Sequence, residues 1–471
     1  MSLSAALNTA VFGLQTLQNQ TRLVSGNVSN AQNPSYSRKV AALTTPASDG
    51  YPQAALIASI TRVVAPEVQA DLYAAEADFG RLDKSLDYAK GLAEALDATT
   101  TTGDQPTLLA MMTRFEDAWK QLEATPEDDA TKNLLVQRGI ELTTEIRRLN
   151  GLQSTLQTRG QQNIQTDIDA INVSAVQIAK LNAQIASRSA GGGEVGDLED
   201  LRDAEVTKIA DKVGIRTIIN DRNELFIYTE GGTQLVGSVA QQLVYTASTN
   251  TITVAGGTAS LNNGFLDGSI RASLDYLDNS TTALNNSDPN VGMLQKFFNQ
   301  LDAFAANLVT VINNAYDDPA TGAVEQFFAT PTANAEAGDI DVLAALKTTP
   351  TNVDETRAGA VQQAMRTTAL TSTQINRAAD PNGLSINNVN IFDLANGVMA
   401  YHAKTAADNE SGRDTAERQH NALDQKFKNL TGVNIDDELA QLQILQNNYA
   451  ALANVMNTVT QMFDQLVNIG R

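Results

Sequence analysis

The sequence predicts a mainly α-helical protein with a small β domain: paired N- and C-terminal coiled-coil helices, a central long-helix bundle and an inserted β-rich outer domain. Three observations lead to this fold class. Apolar residues recur in steps of three and four near both ends of the 471-residue chain, which is the periodicity of a coiled coil. Long segments between the ends have helical periodicity. One short segment changes to a period of two, which is typical of strands.

The first predicted helix runs from Ser2 to Ser29 and ends before Pro34, where Asn, Ser and Pro favour a turn. One stripe along this helix carries apolar or small residues in alternating steps of four and three. Its members are Leu3, Leu7, Ala10, Leu14, Leu17, Thr21, Val24 and Val28.

The last predicted helix, Asn434 to Ile469, has a stripe of the same kind. Its members are Ile435, Leu442, Leu445, Tyr449, Leu452, Met456, Val459, Phe463 and Leu466. A repeat of about 3.5 residues makes two helices wind around each other in a left-handed supercoil. We therefore predict that the two ends of the chain pair.

The residues beside the two stripes are almost free of charge. No charged residue lies between Leu439 and Phe463, and Arg22 is the single one between Met1 and Ser37, although the chain has a formal net charge of -21. An ordinary coiled coil carries Glu and Lys there, whereas these flanks carry Gln, Asn, Ala and Thr. Uncharged side chains can be buried against copies of themselves at low desolvation cost. We interpret the paired ends as a polymerisation element whose helices are frayed in the free monomer.

The segments that follow the first helix predict a hairpin and then a bundle. Residues 41–66 mix turn residues with alternating apolar positions, which indicates extended chain with a short hairpin. Helical patterns cover Glu67 to Ala98, Pro106 to Ala124, the segment from Asp128 onward, and Ile164 to Ile185. Long helices joined by short polar turns form a bundle.

Residues 213–245 alternate between apolar and polar positions and are interrupted by polar turns, which predicts a small antiparallel sheet. Met293 to Tyr316 is predicted as a helix, residues 317–355 as loop-rich, and the chain from Ser385 as helical again. Gly432 is predicted to end that helix and Asn434 to cap the last one.

Two motifs suggest binding sites and are rejected on their context. Gly191, Gly193 and Gly196 have the spacing of a dinucleotide fingerprint, but a helix precedes them instead of a strand, so we predict a flexible loop between two helices. An acidic group follows the glycines without the register of a calcium loop, and we predict that it forms a solvated helix face. Its members are Asp197, Glu199, Asp200, Asp203 and Glu205.

Composition excludes several function classes. With 33 basic against 54 acidic residues, a nucleic-acid or anionic-membrane partner is disfavoured. The chain has no cysteine and two histidines, His402 and His420, which we predict to be helix-surface residues. We predict no enzyme activity, no cofactor and no metal site. The N-terminus lacks the basic and apolar regions of a cleaved secretory signal.

Residues 7–14, Leu-Asn-Thr-Ala-Val-Phe-Gly-Leu, and residues 24–38, Val-Ser-Gly-Asn-Val-Ser-Asn-Ala-Gln-Asn-Pro-Ser-Tyr-Ser-Arg, resemble the opening of the bacterial flagellar axial proteins, the family of rod, hook and hook-associated proteins. Ser35 stands where the turn of this family usually has Gly.

Further along the chain, residues 197–203, 213–215 and 232–237 are similar to the helix and β-rich outer domain of hook-associated members. Residues 431–438, Thr-Gly-Val-Asn-Ile-Asp-Asp-Glu, resemble the start of their C-terminal helix. The predicted subunit interface combines the two stripes with the turn of the N-terminal motif: Leu3, Leu7, Leu14, Leu17, Val24, Val28, Asn33, Pro34, Tyr36, Leu442, Leu445, Tyr449, Leu452, Met456, Val459, Phe463 and Leu466.

The resemblance implies a structural subunit at the junction between hook and filament, extracellular and exported without a cleaved signal. It implies as partners copies of the chain, the hook protein, a second hook-associated junction protein, a cytoplasmic chaperone on the C-terminal helix, and the flagellar type III export apparatus. Two alternatives stay open. One is another axial protein, such as the second junction protein, hook or distal rod; the other, disfavoured, is a secreted effector with coiled-coil ends.

The predicted domains follow from these elements. Residues 1–45 with 430–471 form the terminal coiled-coil domain, residues 46–205 with 276–429 form the helical bundle, and residues 206–275 form the β-rich outer domain.

Overall fold

The computed structural model describes residues 3–45, 47–48, 51–52, 55–96, 107–320, 324–333, 335–378 and 381–469. The predicted start of the first helix at Ser2 and of the helix at Pro106 lie outside these residues. The first helix, α1, spans Leu3–Asn30. A β hairpin follows, in which β1 (Lys39–Thr44) pairs antiparallel with β4 (Leu56–Arg62). The short pair β2 (Ala47–Ser48) and β3 (Tyr51–Pro52) extends it.

Five helices then lead into the bundle. They are α2 (Pro66–Leu96), α3 (Leu108–Ala124), α4 (Asp129–Gly151), α5 (Gln153–Ala190) and α6 (Gly196–Ala210). The glycine-rich turn between α5 and α6 includes Gly192 at a φ of +72°, a left-handed conformation that glycine adopts without strain.

The strands of the middle segment form two small antiparallel sheets. The first has the order β5 (Ile215–Ile219), β6 (Leu225–Thr229) and β7 (Gln234–Val236), and the second pairs β8 (Leu243–Thr246) with β9 (Thr251–Val254). Their inward residues, such as Ile227 and Ile252, belong to the same buried cluster as the helices. The predicted fold class, mainly α with a small inserted β region, is confirmed.

The return to the bundle is helical. Its elements are α7 (Ser269–Leu277), α8 (Thr281–Leu284), α9 (Met293–Tyr316), α10 (Glu336–Asp339), α11 (Ala344–Thr348), α12 (Ala358–Thr367) and α13 (Ser372–Ile375). The predicted bounds of α9 match the structure at both ends. Its last residue, Tyr316, packs against Trp119 of α3 with ring centroids 6.0 Å apart.

Two long helices complete the chain: α14 (Ile391–Thr431) and α15 (Ile435–Ile469). The prediction that α14 begins at Ser385 is wrong. Leu370 forms a β bridge with Val389, which keeps the preceding residues extended, and the Asn390 side chain accepts a hydrogen bond of 2.9 Å from the Asp393 amide, so the helix begins after this cap.

A long antiparallel pair connects the bundle to the chain ends. Helix α14 packs along α2, and Lys90 lies 2.9 Å from Glu410 at one level, while Glu76 lies 2.5 Å from His420 nearer the termini. The main buried cluster runs from α2 to α14 and contains none of the described side chains of α1 or α15. The terminal helices therefore have a core of their own.

Candidate polymerisation interface

The two terminal helices lie side by side and antiparallel. The position of a Cβ on Gly13 would lie 3.0 Å from the Leu452 side chain, and Asn27 is hydrogen-bonded to Glu438. As the numbers rise along α1, the facing numbers fall along α15. The predicted pairing of the chain ends is confirmed.

The seam between the two helices has a small core. Leu17, Val24 and Leu445 form a separate buried cluster, against which Leu442 and Leu452 pack. Burying a leucine or valine side chain contributes about 1.5 to 3 kcal/mol. The apolar stabilisation of the pair therefore comes from a few such side chains. The much larger core of the bundle adds nothing to it.

The residues predicted for the interface divide by exposure. Buried are Leu17, Val24, Leu445 and Val459; half-buried are Leu7, Leu14, Val28, Tyr36, Leu442, Leu452 and Met456; exposed are Asn33, Pro34, Tyr449 and Phe463. The side chains of Leu3 and Leu466 lie outside the described residues.

Tyr449 and Phe463, like Ile435 at the start of their stripe, are exposed; Tyr449 is 42% and Phe463 is 37% exposed. Two helices cover a narrow strip of each other, so bulky rings at the edge of the strip extend into solvent. A further neighbour is needed to bury them.

The side of each helix that points away from the seam carries large apolar side chains and few charges. We call it the outer face; its apolar members are Val11, Phe12, Leu439, Ile444, Val455 and Met462, all exposed. The amides between them are also exposed: Gln441, Gln443, Gln446, Asn447, Asn448, Asn454, Asn457 and Gln461. Exposed apolar surface rimmed by polar groups is typical of protein contacts, and amides can hydrogen-bond across such a contact.

Asn27 is the centre of the junction between the helix pair and the rest of the chain. Its side chain is buried, and its Nδ2 donates to the Lys39 carbonyl at 2.9 Å and to Glu438 Oε2 at 3.1 Å. Its Oδ1 accepts from the Tyr36 hydroxyl at 2.9 Å and from the Lys39 amide at 3.1 Å. All four hydrogen-bonding positions of the amide are thereby used.

Glu438 is fully buried and pairs with Arg38, whose Nε lies 2.6 Å from Oε1. The backbone of Arg38 connects the end of α14 to the segment after β4. Its amide donates to the Thr431 carbonyl at 2.7 Å, and its carbonyl accepts from the Val63 amide at 2.8 Å. In the sequence, Glu438 belongs to the start of the last helix, and its pairing with Arg38 was not predicted. The available signal was the position of Arg38 and Lys39 directly after a segment with a single charge.

An ion cluster ties the hairpin to α6. Lys39 pairs with Asp197 and lies 3.4 Å from Asp200. Arg62 lies 3.0 Å from Glu199 and 3.3 Å from Asp200. Burial by itself would lower the pKa of Lys39, but the hydrogen bond to Asp197 and the charge of Asp200 raise it above its usual value.

The prediction of a solvated acidic helix face is therefore wrong for most of this group. Asp200 is 7% exposed, and Asp203 accepts a hydrogen bond of 2.9 Å from Gln69 in addition to pairing with Arg62. The hairpin brings two cations from outside the helix, which local sequence periodicity does not reveal. Asp197, whose side chain is 85% exposed, is the member that does face solvent.

The prediction that both histidines lie on helix surfaces is also wrong. His402 is buried, and its Nε2 is 2.8 Å from Gln300 Oε1; burial lowers its pKa to about 3. His420 pairs with Glu76 between α14 and α2. Both histidines thus join long helices of the bundle.

Within the part of the chain that the structure describes, no group of three or more His, Cys, Asp or Glu side chains is arranged to hold a metal ion. In the same residues, no helix combines the length and the apolar character needed to cross a bilayer.

The chain is similar to known flagellar proteins in three comparisons. The family model of the "Flagellar hook-associated protein FlgK helical domain" matches residues 93–321. Flagellar hook-associated protein 1 of Escherichia coli (strain K12) is 23% identical over 552 residues, covering 99% of this chain and 100% of the relative. The solved structure of the flagellar hook junction protein FlgK from Burkholderia pseudomallei is 21% identical with a TM-score of 0.44, and the match covers 55% of this chain and 46% of that one.

Proposed function

We infer that this chain belongs to the hook-associated proteins of the bacterial flagellum, as a hook-associated protein 1, and we propose that it is a structural subunit of the junction between hook and filament. The similarity to the named relative extends over 99% of the chain, so it includes both terminal helices. The family model covers the segment that forms the middle of the bundle.

One observation carries the proposal: the outer face of the terminal pair is exposed, apolar and nearly uncharged in a chain of net charge -21. A solvated helix normally presents charged side chains to water. Ile444, for example, is 59% exposed, and Tyr449 and Phe463 are partly uncovered beside it. Copies of the same pair, packed around one axis, would bury these side chains without placing like charges in contact.

The partners follow from this arrangement. Copies of the chain would cover the outer face, and hook proteins would contact one end of the resulting assembly. Finer assignments are a second hook-associated junction protein on the other end, a cytoplasmic chaperone that covers the C-terminal helix before export, and the flagellar type III export apparatus.

We place the assembled protein outside the cell, in the flagellum, after export without a cleaved signal. The absence of cysteine supports this route, because a chain that passes unfolded through a channel cannot form cross-links on the way. A catalytic role is not part of the proposal, since His402 is buried within the bundle and His420 is engaged with Glu76.

The test is deletion of residues 436–471 in the bacterium that encodes the chain. We expect a purified truncated protein with a folded bundle, because the main core contains no residue of α15. We also expect non-motile cells with bare hooks, since the outer face is lost. A full-length Val173→Ser variant is the control: Val173 is exposed on α5 of the bundle, and its motility should be normal.

Filaments attached to hooks in the deletion strain would contradict the proposal. Electron microscopy with a label on the intact protein gives a second readout. Labels at the hook tip support the junction, whereas labels along the hook or in the rod would indicate another axial protein.

A further inference from the structure

Two charged residues interrupt the uncharged surface of the terminal pair. Arg22 is the single charge between residues 1 and 37, and Asp464 is the single charge between residues 439 and 469. Both are exposed. Arg22 donates to Asn19 at 3.3 Å, and among the described residues neither Arg22 nor Asp464 forms an ion pair.

Arg22 and Asp464 cannot meet within one molecule. Gly13 faces Leu452 and Asn27 faces Glu438, so Asp464 lies beside the first residues of α1. At about 1.5 Å per residue, Arg22 is about 31 Å from that level along the helix axis.

The two side chains also point away from the seam. Arg22 is five residues after the buried Leu17, and Asp464 is five residues after the buried Val459. At about 100° per residue, each lies about 140° around its helix from a buried seam position. Both therefore belong to the outer face.

Among the described residues, no basic side chain of α15 compensates the charge of Asp464. It lies near the C-terminal end of α15, where the helix dipole is negative and where the last turn contains no basic residue. Asp436 and Asp437 lie in the first turn of the same helix, where the dipole stabilises a carboxylate. A cation from a neighbouring molecule would therefore stabilise Asp464 more than it would stabilise Asp436 or Asp437.

We propose that Arg22 of one copy forms an ion pair with Asp464 of a neighbouring copy that is displaced by about 31 Å along the helix axis. This inference rests on the proposed self-assembly and adds its register. Apolar and amide surfaces allow neighbours to slide, because their contacts are alike at many displacements. A single charge pair in an uncharged contact favours one displacement, as a single polar residue does in a coiled coil.

The cysteine-free sequence makes disulfide trapping a direct test. Flagella isolated from a strain with Arg22→Cys and Asp464→Cys are oxidised and separated under denaturing conditions. We expect a ladder of linked copies. Disulfides need Cα atoms within about 7 Å, so a bond within one molecule is excluded by the axial distance.

Three controls define the outcome. Each single-cysteine strain should give no ladder. The pair Arg22→Cys and Asp436→Cys should also remain unlinked; a ladder there, with none for Asp464→Cys, would overturn the proposed register. If neither double variant gives linked copies, the charge-reversal variants below decide the ion pair, because Arg and Asp can pair across a larger Cα separation than the 7 Å or so that a disulfide allows.

Charge reversal covers the case in which the cysteine variants do not assemble. Arg22→Glu and Asp464→Arg should each reduce the number of filaments per cell by at least about tenfold, because each leaves like charges facing each other in a buried contact. The double reversal should restore filaments. Unchanged filaments in both single variants, or no restoration in the double, would refute the ion pair.

The proposed function is tested separately by Ile444→Glu, which disrupts the outer face without touching the ion pair. Loss of filaments in that variant combined with normal filaments in Arg22→Glu would reject the register and keep the function. Normal filaments in both would reject both.

Discussion

Asn27 of α1 and Glu438 of α15 are 411 residues apart in the sequence and form a buried hydrogen bond of 3.1 Å. Each is also held by the segment that follows α1: Asn27 binds the backbone of Lys39, and Glu438 pairs with Arg38. The two ends of the chain are therefore locked together at the point where they join the hairpin. Toward their tips, buried apolar residues such as Ala10 and Val459 are scattered along the same helices.

We expect Asn27→Ala to weaken the contacts between α1, α15 and the hairpin. The substitution leaves the Tyr36 hydroxyl and the backbone groups of Lys39 without their partner, and each such loss costs about 1 to 3 kcal/mol. Hydrogen exchange should show faster exchange at residues 38–44 and 435–445, with the bundle unchanged. Gln18→Ala, at an exposed position of the same helix, should leave exchange as in the wild type; equal effects of the two variants would contradict this role of Asn27.

The ion cluster gives a matched pair of variants. Asp200→Asn removes a buried negative charge beside Lys39 and Arg62, and we expect a loss of about 2 kcal/mol in the free energy of opening the hairpin, measured by hydrogen exchange of β1. Asp197→Asn removes an exposed partner of the same lysine and should cost less than about 0.5 kcal/mol. A larger effect of Asp197→Asn would show that burial does not decide the contribution.

Neighbouring residues of α15 separate stability from assembly. Leu445 is 5% exposed and lies in the seam, whereas Ile444 is exposed on the outer face. Leu445→Ala should destabilise the helix pair of the monomer by about 2 to 3 kcal/mol, seen as faster amide exchange in α1 and α15. Ile444→Ala should leave monomer exchange unchanged and reduce filament number; altered exchange in that variant would argue against a free outer face.

We expect hydrogen-exchange protection in the monomer to fall along α15 from Glu438 toward the C-terminal end of the helix. Glu438 and Leu445 are buried, whereas Met462 and Phe463 are exposed, so the last turns of α15 have fewer contacts to oppose fraying. Amides near residues 438–445 should therefore exchange more slowly than amides near residues 456–463. Uniform protection along α15 would contradict the expectation that the ends become fully ordered in the assembly.

His402 should make the bundle less stable in acid. Its pKa is lowered by burial to about 3, from an ordinary value of 6.5, so below pH 6.5 the unfolded chain binds a proton that the folded chain does not. The free energy of unfolding should fall by about 1.5 to 2 kcal/mol between pH 6.5 and about pH 5 because of this group. The free energy of unfolding, measured by urea titration at each pH, should fall more steeply with falling pH in the wild type than in His402→Gln over this range. Above about pH 7 the two pH dependences should be parallel; equal pH dependences throughout would contradict the assignment.

Much of the fold followed from periodicity. The stripes at both ends predicted the helix pair, the bounds of α9 matched at both ends, and alternation at residues 213–245 predicted the sheet of β5, β6 and β7 but not β9. These patterns are local, because a helix or strand repeats its environment every few residues. The start of α14 was placed too early because a single bridge between Leu370 and Val389 keeps the segment before it extended.

The sequence predicted the surface of the candidate interface, but it did not predict the polar contacts that join the helix pair to the hairpin and α6. The uncharged outer face could be recognised because charge is absent from consecutive residues. The pairing of Glu438 with Arg38 and the burial of Asp200 between Lys39 and Arg62 could not, since the partners are about 140 to 400 residues apart.

The sequence by itself therefore determined that this protein has two weakly charged terminal helices with matching apolar stripes, a bundle, and a short β segment. Tertiary structure alone decided which polar groups are buried together. The Asn27 amide, the Glu438 carboxylate and the Arg38 guanidinium meet where the hairpin joins the helix pair, and Asp200 of α6 lies beside Lys39 and Arg62. The physical reason is that apolar burial depends on spacing along one element, whereas the stability of a buried charge depends on the partner that the fold brings to it.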